Sequence, residues 1–242
     1  MTSEQLEAEH TPTAVQARLA KEPKPSYLRD WVYGGIDGAV TTFAIVAGVV
    51  GADLSARIIL IMGLANLFAD GFSMAAGNYS ATKTEIDDYD RLQAIEHDHI
   101  AQVPHGEREE VRQLLKQKGL SGETLDQATA SVTADKDLWV ETMMREEHGL
   151  AKVMRSPMKA ALTTFMAFLL CGAVPLVPYA LGLPHDFMIS IVATGCVFVV
   201  IGALKSQWSL APAWRSAVET LLIGAAAASV AYIIGYFLKT IV

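Results

Sequence analysis

RIILIMGLANLFADGFSMAAGNYSATKTEIDDYDRLQAIEHDHIA, residues 57–101, is the stretch whose reading decides the fold. It reads as one helix, because no proline interrupts the chain between Pro25 and Pro104 and the polar side chains keep helical register. At 100° per residue Asn66, Asp70, Met74, Asn78, Glu85, Asp88, Glu96 and His99 fall in a stripe about 120° wide. From Asn66 to His99 that stripe extends about 50 Å, which outruns a hydrocarbon core of about 30 Å. The helix therefore begins in a bilayer and finishes in water. A row of oxygen, thioether and imidazole groups crossing that boundary suggests a path for a cation.

Four more apolar runs lie outside this stretch. With it they give five candidate spans, roughly Trp31 to Ala52, Ile58 to Ala81, Ala160 to Leu183, Phe187 to Trp208 and Trp214 to Leu238. Each is near the twenty or so residues a spanning helix requires. One such run could be a buried helix of a soluble protein; five set the class as an all-α integral membrane protein. The expected organisation is a flexible cytosolic tail over 1–26, spans one and two over 27–83, a helical metal-binding insert over 84–156 and spans three to five over 157–242. The tail ends in Glu22-Pro23-Lys24-Pro25 and lacks the apolar core of a secretory signal. Lys21, Lys24 and Arg29 precede span one and basic residues punctuate the insert, whereas the Leu181 to Asp186 turn has none. The positive-inside rule then puts the N-terminus and the insert in the cytosol and the C-terminus outside. Without a transit segment, a bacterial cytoplasmic membrane is favoured, with a vacuolar-type membrane as the eukaryotic counterpart.

The formal charge of the 242 residues is −7, and Lys83 to Lys159 alone holds 16 acids against 11 bases, with four of the six histidines. Nucleic acid is not a partner for such a surface, and cations are a natural one. Cys171 and Cys196 both fall in spans and read as packing residues.

The insert divides at Val103-Pro104, where the residue before proline leaves the helical region. A second helix is expected over Gly106 to Lys118 and a short one near Glu123 to Ser131. A third long helix is expected from about Asp135 to Val153, leading into span three near Pro157. Each main helix offers ligand-type side chains at neighbouring positions: Glu96 and His99, Glu107 and Glu110, Met143 and Glu147. Paired surface acids usually just face water. A histidine and a methionine among them shift the balance toward a borderline ion such as Fe²⁺ or Mn²⁺, with Co²⁺ and Zn²⁺ as competitors and no prosthetic group. A dedicated Ca²⁺ or Mg²⁺ site has no need of Met143. Glu96-x-x-His99 is also the spacing of carboxylate-bridged di-iron bundles, which keeps a membrane-anchored ferroxidase as an alternative. A non-transporting metal sensor is a third reading.

Ionisable groups within spans are functional candidates by default. Asp37 lies in Gly34-Gly35-Ile36-Asp37-Gly38, with Thr41 one turn on; its plain reading is a helix cap. Asn66, Asp70 and Met74 step by four along span two, with Asn78 next. Lys205 and Glu219 near span ends read as snorkelling or paired. Pro175 and Pro178 should break span three.

These residues together resemble the vacuolar iron transporter family. The resemblance is carried by Gly35-Ile36-Asp37-Gly38 with Thr41-Thr42-Phe43-Ala44, by Ser73-Met74-Ala75-Ala76-Gly77 with Lys83-x-Glu85, and by Met143-Met144 with Glu147-x-Gly149-Leu150. It implies a homodimer of five-span chains whose second span extends into a three-helix cytosolic domain, and proton-coupled export of Fe²⁺, or in some members Mn²⁺, from the cytosol. On matching positions it implies Asp37 and Met74 as intramembrane metal residues near the dimer axis. Glu96, Glu107, Glu110, Met143 and Glu147 would collect metal in the cytosol. Three positions depart from the family pattern: Asn66 where plant members tend to carry a glutamate tied to proton coupling, His99 where an acid is usual, and Met144 where another acid can occur. Asp70, one turn from Asn66, is the candidate replacement for the missing acid.

Overall fold

The computed structural model describes residues 2–21, 24–208 and 210–241. Two short helices, α1 (Ser3–Glu9) and α2 (Pro12–Leu19), begin the chain. They occupy the segment expected as a flexible tail; Glu22 and Pro23 of its closing motif lie outside the described residues. Next come α3 (Leu28–Gly51) and α4 (Ala56–Gln102), then the insert helices α5 (Pro104–Gln117), α6 (Gly122–Ala134) and α7 (Lys136–Glu146). The chain closes with α8 (Pro157–Ala173), α9 (Val177–Ala180), α10 (Asp186–Lys205) and α11 (Ala213–Leu238). Five segments are long and apolar enough to cross a membrane: α3, α4, α8 through α9, α10 with its terminal turn, and α11.

The 47-residue α4 is unbroken, as the stripe requires. Span three breaks where its prolines remove backbone donors: a 3₁₀ turn at Val174–Leu176 separates α8 from α9. Helix α3 sits at the centre of the bundle, against α8 and α11 with α4 and α10 at its sides. Its glycines permit that position, since a Cβ at Gly34 or Gly38 would collide with the backbone carbonyl of Thr164 or Phe168 on α8. One apolar core joins Phe43, Val46, Val49, Ile59, Leu176 and Tyr179 in the bundle, and another joins Tyr89, Ile100, Val111, Trp139, Met143 and Met144 in the insert.

The end of α7 differs from expectation. The helix stops at Glu146 rather than near Val153 and does not run into span three. Gly149 takes φ 66°, His148 N–H donates to the Met143 carbonyl at 3.3 Å and Leu150 N–H to that of Met144 at 2.9 Å. A left-handed glycine with backward-reaching donors satisfies the last carbonyls and turns the chain away. Residues 149–156 then cross to α8 without helical structure.

That crossing carries a buried latch. Arg155 Nη2 donates to both carboxylate oxygens of Asp30 at 2.5 Å. Asn78 Nδ2 donates to Asp30 Oδ1 at 2.9 Å and to Thr164 Oγ1 at 2.7 Å. Asp30 is buried, so losing Arg155 would leave an uncompensated charge, at a cost of about 3–5 kcal/mol.

Candidate metal sites

The sharpest cluster lies where α4, α5 and the end of α7 meet in the insert. Glu96 and Glu107 are each only 3% exposed. One oxygen of each is engaged: Glu96 Oε1 lies 2.9 Å from His148 Nε2, and Glu107 Oε1 lies 3.4 Å from His99 Nδ1. Their second oxygens, both buried, have no hydrogen-bond partner among the described residues. An ionised oxygen in that condition is costly unless a cation arrives or a proton neutralises it. Two three-residue sets have ligand atoms within 4.8 Å of one another, Glu96 with His99 and Glu107, and Glu96 with Glu147 and His148.

Charge crowding is written into the titration of these groups. Burial, then the neighbouring Glu110 and Glu96, push the Glu107 carboxyl up to about 7, with His99 pulling the other way. Burial, Glu110 and Glu96 also raise Glu147, against His148 and His99. Glu110, itself exposed, is thus close enough to act on both. Acids that would rather share protons than repel one another are suited to exchange those protons for a divalent ion.

Of the residues expected here, Glu96, His99, Glu107, Glu110 and Glu147 do assemble. Met143 and Met144 are wholly buried in the apolar core of the insert, and Met143 lends its carbonyl to the turn at the end of α7. His148 went unrecognised in the sequence. Consecutive helical residues point about 100° apart, so a helix running on to Val153 would aim Glu147 and His148 at different neighbours; it is the termination at Gly149 that lets both reach Glu96.

In the bundle Asp37, Thr41, Asn66, Asp70, Met74 and Asn78 are all half-buried. Asn66 Nδ2 donates to Thr41 Oγ1 at 3.4 Å, and Thr41 Oγ1 donates to the Asp37 carbonyl at 2.9 Å, tying α4 to α3. Asp70 lies within electrostatic reach of the Asp37 carboxylate. Asn78 is instead committed to Asp30 and Thr164, a role in packing that the sequence did not reveal. A cleft of about 930 Å³ is lined by Met74, Asn78 and Glu85 of α4 together with Asp30, Arg155 and Lys205, so it runs from the half-buried thioether toward the insert. Lys205 pairs with Glu219 at 3.4 Å, and both cysteines are unbridged.

Comparison with known proteins places this geometry in context. The sequence model of the VIT family matches residues 28–236. Vacuolar iron transporter 1 of Arabidopsis thaliana is 34% identical over 209 residues, covering 85% of this chain and 83% of that one. Vacuolar iron transporter 2 of Oryza sativa subsp. japonica is 33% identical over 208 residues, 85% of each chain. The vacuolar iron transporter of Toxoplasma gondii (strain ATCC 50861 / VEG) is 32% identical over 228 residues, covering 89% of this chain and 76% of that one.

Proposed function

The chain belongs to the VIT family, and from that premise we propose that it carries divalent iron out of the cytosol in exchange for protons, with Mn²⁺ as a second cargo and Co²⁺ and Zn²⁺ as competitors. It is a transporter rather than an enzyme. The observation that carries the reading is the pair of buried carboxylates, Glu96 and Glu107, each with an unpartnered oxygen, on and beside a helix that continues into span two.

In this reading the insert is cytosolic and gathers the ion on Glu96, His99, Glu107, Glu110 and Glu147, over a core containing Met143 and Met144. The cleft along α4 delivers it to Asp37 and Met74, with Thr41, Asn66 and Asp70 alongside. A thioether next to a carboxylate suits a transition ion better than a hard one. Protons arriving from outside compete for the same oxygens and release the metal. Two chains pair along the exposed small residues Ala69, Ser73 and Gly77 of α4, enclosing the half-buried acids between them. The N-terminus lies in the cytosol and the C-terminus outside, across a bacterial cytoplasmic membrane.

Reconstituted in proteoliposomes, the protein should move Fe²⁺ and Mn²⁺ faster under an imposed pH gradient, and Asp37→Asn should abolish the flux. Undiminished transport by Asp37→Asn would sink the route.

A further inference from the structure

Histidine is the donor that distinguishes this insert from a plain acidic cluster, and two of its four histidines face the buried carboxylates from different places. His99 stands on α4 and faces Glu107 at 3.4 Å, whereas His148 stands at the exit of α7 and faces Glu96 at 2.9 Å. Each three-residue set therefore contains two carboxylates and one imidazole, and Glu96 belongs to both. We propose that His148 is itself a metal ligand, completing with Glu96 and Glu147 a subsite beside that of Glu96, His99 and Glu107, and that its nitrogen sets which ions this subsite prefers. The inference rests on the transport reading above and adds a ligand to its collecting site.

Three observations carry it. The Glu96 side chain is only 3% exposed, yet its Oε2 has no partner among the described residues, so the set includes a buried oxygen free to take a ligand. The His148 side chain is 23% exposed, open enough for an ion to approach from solvent while its ring nitrogen already points at Glu96. The backbone is built for this aim, because the left-handed Gly149 ends α7 one residue later and brings two successive side chains to the same carboxylate.

Selectivity follows from donor chemistry. Imidazole strengthens binding of the later first-row ions far more than that of Mn²⁺, and is foreign to Ca²⁺ and Mg²⁺ sites. A subsite with one nitrogen should rank Co²⁺ and Zn²⁺ above Mn²⁺ more steeply than two carboxylates alone. The rival role for His148 is to hold Glu96 in place by a hydrogen bond, as outer-shell partners of ligands do. Glutamine separates the two roles, since its amide can still donate to Glu96 but brings no imidazole.

The test uses the full chain in detergent micelles, with Co²⁺ and Mn²⁺ titrated separately and Cu²⁺ as a pulsed-EPR probe that registers imidazole nitrogen. Both His148→Gln and His148→Leu should weaken Co²⁺ at least ~10-fold and change Mn²⁺ less than ~3-fold, as loss of one nitrogen donor predicts. Both should also lower the imidazole modulation of the Cu²⁺ signal, while His97→Gln leaves the Co²⁺ affinity as it was. Wild-type Co²⁺ affinity and imidazole modulation in His148→Gln would overturn the proposal and leave the collecting site standing. Binding unaltered by Glu96→Gln would overturn both, because Glu96 is common to the two subsites.

Discussion

In the proposed collecting site Glu107 is the side chain that would tie metal to pH. Its carboxyl titrates near 7 because it is buried and flanked by Glu110 and Glu96. The folded value lies above the unfolded one, so protonation favours the folded metal-free insert, and that contribution is lost as pH rises through about 7. In the proposed exchange a divalent ion takes the proton's place. Metal affinity should therefore rise between pH 6 and pH 8, and Glu107→Gln should flatten that rise while weakening binding overall; isothermal titration with Mn²⁺ at the two pH values measures both. An equally steep pH dependence in the variant would remove Glu107 from the exchange. Glu96, His99 and Glu107 were legible because residues three apart on a helix share a face. His148 and Asp30 were not, since one depends on where a helix stops and the other on a partner, Arg155, far away in sequence.

At the scale of elements, α4 matters because it carries Asp70 and Met74 of the proposed membrane route and Glu96 and His99 of the proposed collecting site on one continuous helix. Its 47 residues were readable because the absence of proline and the 100° stripe agree over the whole length. The end of α7 was not, because Leu150 continues the apolar spacing past the turn and only the left-handed φ of Gly149 reveals the stop. Similarly, the insert adds α5, α6 and α7 to the end of α4, with α6 running from Gly122 to Ala134, further than the short helix expected there. If rigidity of α4 aligns the cleft with the cluster, a kink between them should uncouple the two. Thr84 is exposed and lies between Asn78 and Glu85, so Thr84→Pro removes one helical hydrogen bond, at about 3 kcal/mol, without touching a ligand. Flux in proteoliposomes should then fall at least ~10-fold while Mn²⁺ affinity at the insert stays within ~3-fold, the mark of a kinked helix with intact sites. Parallel loss of both would mean that the proline unfolds the insert instead.

For the whole molecule the open question is what covers the outer face of α4. In a single chain Asp70 and Met74 are only half-buried, and Ala69, Ser73 and Gly77 beside them are exposed within a span. A carboxylate facing lipid is costly, so it calls for a polar cavity or a partner. Residues 69, 73 and 77 are four apart and small, the spacing that lets two helices approach closely in a bilayer, and a Cβ at Gly77 would meet nothing within 4 Å in the isolated chain. A second copy packed there would place two Asp37, Asp70 and Met74 sets around one axis, giving an ion more donors than either chain holds. Two variants test this pairing. In a chain with Cys171 and Cys196 replaced by alanine, Ser73→Cys should cross-link into dimers under oxidation in membranes. Ala69→Leu, at an exposed position of the pairing surface that does not line the cleft, should yield monomers that retain metal at the insert and lose transport. Monomers that still transport at the wild-type rate would show that one chain suffices, and the half-buried acids would then have to line a pathway within a single bundle.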